Sequence, residues 1–187
     1  QSNKNLTSYV NTFVGTGGHG HTYPGATLPF GMMQLSPDTR LDGWDGCSGY
    51  HISDSHIYGF SHTHLSGTGV SDYGDVLLMP TNKINFNNGS DGKDGYRSSF
   101  LHENEVASPG YYNVYLDDTN IEVSLSVSKR SGIHKYKFSE GSKQIVILDL
   151  EHRDEVLDSK LLVENNQLVS GHRFSKAWAT DQRLFFD

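Results

Sequence analysis

Along Ile121-Glu-Val-Ser-Leu-Ser-Val127 apolar and polar residues alternate without a break. Side chains on a strand project to opposite faces in turn. Ile121, Val123, Leu125 and Val127 therefore share one face, and the pattern predicts a half-buried antiparallel strand. Tyr111–Leu116 and Ile133–Phe138 have the same character. Gln144-Ile-Val-Ile-Leu-Asp-Leu150 is continuously apolar, which predicts a strand running between two layers. Leu161–Val163 and Gln167–Arg173 flank Glu164-Asn-Asn166, the pattern of a hairpin. Ala177–Asp187 reads as a further strand, and the abrupt stop there is what a truncated or partial domain would show. Helical periodicity is not evident anywhere. Strands at spacings of roughly 8–12 residues, with turns between them, predict an all-β antiparallel sandwich.

The first half has other habits. Shorter strands are predicted at Tyr9–Val14, Gly31–Leu35 and Asp75–Met79. Residues 15–74 hold 13 of the 20 glycines and six of the ten histidines. The expectation is one domain over 1–187, with a glycine- and histidine-rich loop layer at 15–75 and regular strands at 76–187. Long ordered loops in a compact domain tend to carry function. One of them, Gly15-Thr-Gly-Gly-His-Gly-His-Thr-Tyr-Pro-Gly25, matches the spacing of a dinucleotide fingerprint. That fingerprint needs a helix after its last glycine. Pro24, Gly25, Pro29 and Gly31 forbid one, so the nucleotide reading fails.

Charge narrows the classes further. The 187 residues carry a formal charge of -7, which argues against nucleic acid as a partner. No apolar run approaches the length of a membrane span. Cys47 is the only cysteine, so no internal disulfide can form. The opening Gln1-Ser2-Asn3 lacks an initiator methionine, as expected where a signal has been removed or a tag remnant left.

Candidate chemistry concentrates in the loop layer. Trp44 sits between Asp42-Gly43 and Asp45-Gly46, where an indole can stack on a sugar ring or plug the core beneath the loops. Asp45 can accept a sugar hydroxyl or close an Asx turn. Cys47 suits a buried filler or a pocket wall. His19/His21 and His62/His64 are two H-x-H pairs. In extended chain i and i+2 share a face, so each pair could chelate zinc. Against zinc stands the lack of a fixed third ligand. Hydrogen-bonding and substrate-contacting roles remain open for all four. Asp72-Tyr-Gly-Asp75 is expected to anchor the loops through turn hydrogen bonds. The acid pairs Asp42/Asp45, Asp72/Asp75 and Glu103/Glu105 read as solvated or turn-capping groups.

Several long motifs in order then carry a resemblance. They are Val10–Thr27, Pro29–Thr39, Gly43–His51, Gly59–Gly69, Asp72–Pro80, Ala107–Tyr112 and Gly171–Gln182. Together they resemble the N-terminal domain of glycoside hydrolase family 92, the exo-acting α-mannosidases prominent in gut Bacteroidetes. The resemblance implies a β-sandwich that precedes a helical (α/α)6 barrel. It implies an inverting, calcium-dependent enzyme whose general acid, general base and most calcium ligands lie in that barrel. No catalytic residue and no metal are then expected in this chain, which should be inactive alone. Substrate-binding roles are expected for Trp44, Asp45, Cys47, His19, His21, His62 and His64, with terminal α-mannosides of glycans, α1,2-type first, as substrate. The expected partners are such glycans and the downstream barrel. The expected location is the periplasm, cell surface or exterior of a Gram-negative bacterium. Two other readings compete: a stand-alone carbohydrate-binding sandwich and a histidine-liganded zinc enzyme of cupin type.

Overall fold

The alternating stretch forms the strand it predicts, at the centre of one of two facing sheets. A computed structural model describes residues 5–187; Gln1-Ser2-Asn3 lie outside that range. In chain order the first strands are β1 (Ala26–Thr27), β2 (Gln34–Asp38), β3 (His56–Ile57), β4 (Gly59–Ser61) and β5 (Leu77–Thr81). Next come β6 (Ser98–Ser99), β7 (Val106–Ser108), β8 (Tyr111–Leu116), β9 (Ile121–Val127) and β10 (Gly132–Lys137). The last are β11 (Ile145–Asp149), β12 (Glu155–Asn165), β13 (Leu168–Lys176) and β14 (Gln182–Phe186). The helical elements among the described residues are short 3-10 turns.

Strands β1-β2-β4-β5-β11 form one sheet and β10-β9-β8-β7 the other, with antiparallel pairing throughout. Their inner faces make the core. Leu35, Phe60, Leu77 and Met79 from the first sheet share one cluster with Tyr112, Val114, Val123 and Leu125 from the second. Each is fully buried. Burying such a side chain stabilises by about 1.5–3 kcal/mol, which is why period-2 patterning fixes register here. A third sheet, β12-β13-β14, holds the long hairpin. Its turn lies at Asn166-Gln167, two residues beyond the predicted start at Glu164.

Three expectations shift. Tyr9–Val14 is not a strand; a 3-10 turn at Leu6–Tyr9, capped by Asn5, is followed by irregular chain. Strand β2 begins at Gln34, because Pro29, Phe30 and Gly31 still belong to a turn closed by Gly31 N–H on Leu28 O. Strand β11 is an edge strand, paired only with β5, and not a strand between layers. Ile147 is buried while Val146 is exposed, so an unbroken apolar run has met a one-sided environment.

Candidate functional site

The Gly15–Gly25 segment makes the loop its glycines allow. A Cβ on Gly20 would overlap the Gly15 carbonyl, so the loop closes on itself. No helix follows Gly20; the chain turns and enters β1. His21 adopts a left-handed backbone, φ 53°, which swings its ring back toward His19. Opposite it, Gly43 at φ 76° starts the 3-10 turn Trp44–Gly46.

The two loops meet at Asp45. His19 Nδ1 lies 2.7 Å from Asp45 Oδ1, and His21 Nε2 lies 3.2 Å from the same oxygen. The hydrogen bond from His19, supported by His21, holds the Asp45 carboxyl below the usual carboxylate range. The Trp44 indole stacks on His19 at 5.6 Å and tilts against His21 at 5.6 Å. Its pyrrole ring lies against Gly69, where any Cβ would overlap Nε1. The indole is nonetheless 63% exposed. It is a fixed aromatic surface open to solvent and not a core plug.

Beneath this surface Cys47 is buried, and its thiol donates to Thr68 O at 2.6 Å. Burial pushes that thiol up, so it is a poor nucleophile. The bond ties the Trp44 turn to the segment that carries Gly69. Arg153 holds the same turn from below: its Nη2 donates to Gly46 O at 3.2 Å, Cys47 O at 3.3 Å and Ser71 Oγ at 2.8 Å.

The other histidine pair is placed elsewhere. Strand β4 ends at Ser61, so His62 and His64 do not project to one face. His62 Nδ1 lies 2.5 Å from the Val76 carbonyl and so carries the proton. His62 Nε2 is then an acceptor, and His134 Nε2–H donates to it at 3.1 Å. His134 Nδ1 in turn accepts from Tyr136 OH at 2.8 Å. Burial lowers the pKa of both rings, that of His134 to about 3, with the neighbouring imidazole adding to the effect. His64 Nδ1 donates to Gln34 O at 2.8 Å, and its Nε2 faces Ser61 Oγ at 3.0 Å and Asp38. All four ring nitrogens thus have partners inside the sandwich.

The acid pairs also resolve. Glu105 is buried and accepts from Tyr50 at 2.9 Å and Tyr112 at 2.5 Å, with His102 Nδ1 at 2.5 Å. Asp75 is fully buried, with Arg173 at 2.7 Å, Thr63 at 2.8 Å and Gln182 at 2.8 Å. Asp72 accepts the Ala179 N–H at 3.1 Å. Asp72 and Asp75 therefore anchor the loops through long-range partners and not through a local turn alone. Asp45 is the only carboxylate beside Trp44 in these contacts. A carboxyl held ionised can accept a hydroxyl; it cannot serve as a general acid at neutral pH.

Arg153 and Arg173 escape the sequence reading. The available signal was charge: the span from Asn5 to Asn82 has six aspartates and only Arg40 as a base. Buried acids there must be neutralised from elsewhere in the chain. Among the described residues, one group of three side chains could hold a metal ion: His19, His21 and Asp45. Two imidazoles and one carboxylate do not fit calcium, which takes 6–8 oxygen ligands. No step is therefore assigned to calcium on these residues.

A profile of the glycosyl hydrolase family 92 N-terminal domain matches residues 9–187. The chain is 37% identical to a family 92 α-mannosidase from Bacteroides thetaiotaomicron, solved in complex with mannoimidazole. That superposition has a TM-score of 0.90 and covers 97% of this chain and 25% of the other. A family 92 inverting mannosidase from the same organism is 28% identical, at TM-score 0.78, over 94% of this chain and 23% of its own. An uncharacterized secreted glycosidase of Arthroderma benhamiae is 30% identical over 156 residues, 76% of this chain and 19% of that protein. The chain thus spans about a quarter or less of each of these relatives.

Proposed function

The chain belongs to glycosyl hydrolase family 92, as its N-terminal domain, and from that premise we propose that its loop layer forms one wall of the sugar pocket of an exo-acting α-mannosidase. The observation that carries this reading is the exposed Trp44 indole, fixed by His19, His21 and Gly69 beside an ionised Asp45. An indole face stacks on the C–H face of a pyranose while a neighbouring carboxylate accepts its hydroxyls. We place Trp44 and Asp45 on the leaving-group side of the scissile bond. His19 and His21 orient Asp45, and Cys47 holds the turn beneath it. The general acid and base come from the downstream polypeptide. An inverting pair stands roughly 6.5–9.5 Å apart with room for water, and the buried acids Glu105, Asp75 and Asp72 are committed to internal partners. Calcium, if the longer enzyme uses it, is held outside the residues described here. Terminal α1,2-mannosides are the substrates proposed first.

A second surface supports the division of labour. Leu6, Val10, Leu28, Pro29 and Phe30 line an open groove of about 870 Å³. Leu6, Val10 and Phe30 are exposed there, an apolar surface suited to cover by the downstream polypeptide. No helix among the described residues is long and apolar enough to cross a membrane, and an exported enzyme acting on external glycans is the setting we propose.

The test compares this chain with the longer polypeptide on α1,2-mannobiose and an aryl α-mannoside. Turnover is expected only from the longer protein, with β-mannose as the first product by NMR and loss of rate on chelation of calcium. Turnover by these 187 residues alone would refute the assignment of the acid and base to another domain. Tight sugar binding by the chain alone would favour the carbohydrate-binding reading instead.

A further inference from the structure

An H-x-H pair becomes a transition-metal site only when a third ligand is fixed beside it. Asp45 is that third group. His19 Nδ1, His21 Nε2 and one Asp45 oxygen all lie within 4.8 Å of one another. Two of the separations are known: 2.7 Å and 3.2 Å from the two ring nitrogens to Asp45 Oδ1. Ligands about 2.0–2.1 Å from a tetrahedral zinc stand roughly 3.3 Å apart. The His21–Asp45 separation already matches. The His19–Asp45 separation needs to open by about half an ångström, and His19 is free to give it, with a side chain 75% exposed.

The surroundings favour a dication. His21 is buried, and its ring is held against Trp44, so one ligand is fixed before any ion arrives. Asp45 is partly exposed, which leaves an entry path from solvent. Arg40, whose charge reaches Asp45, is engaged with Asp54 at 2.5 Å. Two imidazoles select zinc, cobalt or nickel over calcium and magnesium.

We propose that His19, His21 and Asp45 bind one divalent transition-metal ion, with zinc as the reference, and leave its remaining coordination open to solvent above Trp44. The open position suits water. The donors all belong to this chain, so metal uptake is read without mannosidase turnover, although the site shares His19, His21 and Asp45 with the proposed sugar wall. Both uses need the Asp45 carboxylate, so a bound ion and a sugar compete for it.

Calorimetric titration of the tag-free, metal-free chain with zinc chloride tests this, alongside the visible spectrum of the cobalt-loaded protein. One equivalent should bind, and cobalt should give the intense bands of a low-coordinate site. Asp45→Asn and His21→Ala should each weaken binding by at least about tenfold, since even outer-shell changes at metal sites cost 10–100-fold. His172→Ala removes a histidine paired with Asp158 on the third sheet and should change nothing. Should His21→Ala fail to fold, His19→Ala, at an exposed side chain, serves in its place. Millimolar calcium should not displace the zinc. Absence of zinc uptake, uptake indifferent to Asp45→Asn and His19→Ala, loss of uptake in His172→Ala, or displacement by calcium would each overturn the site.

Discussion

Between Gly15 and Asp75 the chain is held by individual polar contacts; between Val76 and Asp187 it is held mainly by repeating strand pairs. Strands β8 and β9 bury Tyr112, Val114, Ile121, Val123 and Leu125 by simple alternation. The loop layer instead hangs on buried ions. Asp38, Asp75, Arg153 and Arg173 are each almost wholly enclosed, and the two arginines come from the rear half. Arg173 also reaches Leu150 O at 2.8 Å and the Arg153 carbonyl. Periodic burial makes a scaffold that tolerates change at any one exposed position. A polar anchor fixes a non-repeating surface, which is what an aromatic platform such as Trp44 requires, at the risk of failing when one partner is lost.

That contrast can be broken first at Arg173. Arg173→Met leaves Asp75 buried and unpaired, and the expected loss of unfolding free energy by denaturant titration is about 3–5 kcal/mol. Adding Asp75→Asn should return part of that loss. A variant as stable as the parent chain would show that the ion pair is dispensable. Leu125→Ala, in the periodic half, should cost about 2–5 kcal/mol through burial and cavity terms together. Its effect should leave the Trp44 fluorescence environment unchanged in the folded state, whereas Arg173→Met should alter it.

Acid sharpens the comparison next. His62, His134 and His152 all have folded pKa values below the ordinary imidazole value, with burial as the main cause in each. Such rings are neutral when folded and take up protons on unfolding below about pH 6.5. Their contribution to stability is complete above pH 6.5. It fades as pH falls from there toward about 4 for His152 and about 3 for His134. Each proton taken up adds a slope of roughly 1.4 kcal/mol per pH unit. His134→Gln should flatten the stability-against-pH curve between pH 6 and 4 by up to about that slope. A curve of unchanged steepness would mean that His134 is already charged in the folded protein.

Trp44→Ala should have the smallest effect on stability, within about 1 kcal/mol, because the indole is mostly exposed. Gly69→Ala pushes on the indole and should reproduce the functional effect of Trp44→Ala without removing the ring. If Gly69→Ala leaves function intact, the orientation of the indole does not matter.

Legibility in the sequence follows the same divide. Strands β8 and β9 were readable to the residue, since Tyr111–Leu116 and Ile121–Val127 announce one buried face each. The edge placement of β11 was not, because Gln144–Leu150 is apolar on both faces and carries no sign of which one is covered. Within the loop layer, residue types were readable but partners were not. His19 and His62 sit in identical H-x-H spacings, yet one meets Asp45 and the other His134, more than seventy residues away. Nothing local to an H-x-H stretch encodes that choice. Gly69 was equally silent: its importance lies in the indole that covers it.

The central claim is that Trp44 is a fixed sugar-facing surface and not part of the protein's structural support. It is tested most directly by kcat/KM of the longer polypeptide on an α-mannoside, with and without Trp44→Ala, beside the melting temperature of each. The expected result is a fall of at least about tenfold in kcat/KM, the scale of one lost stacking contact, with the melting temperature within a few degrees. Unchanged kcat/KM in a folded Trp44→Ala enzyme would contradict it.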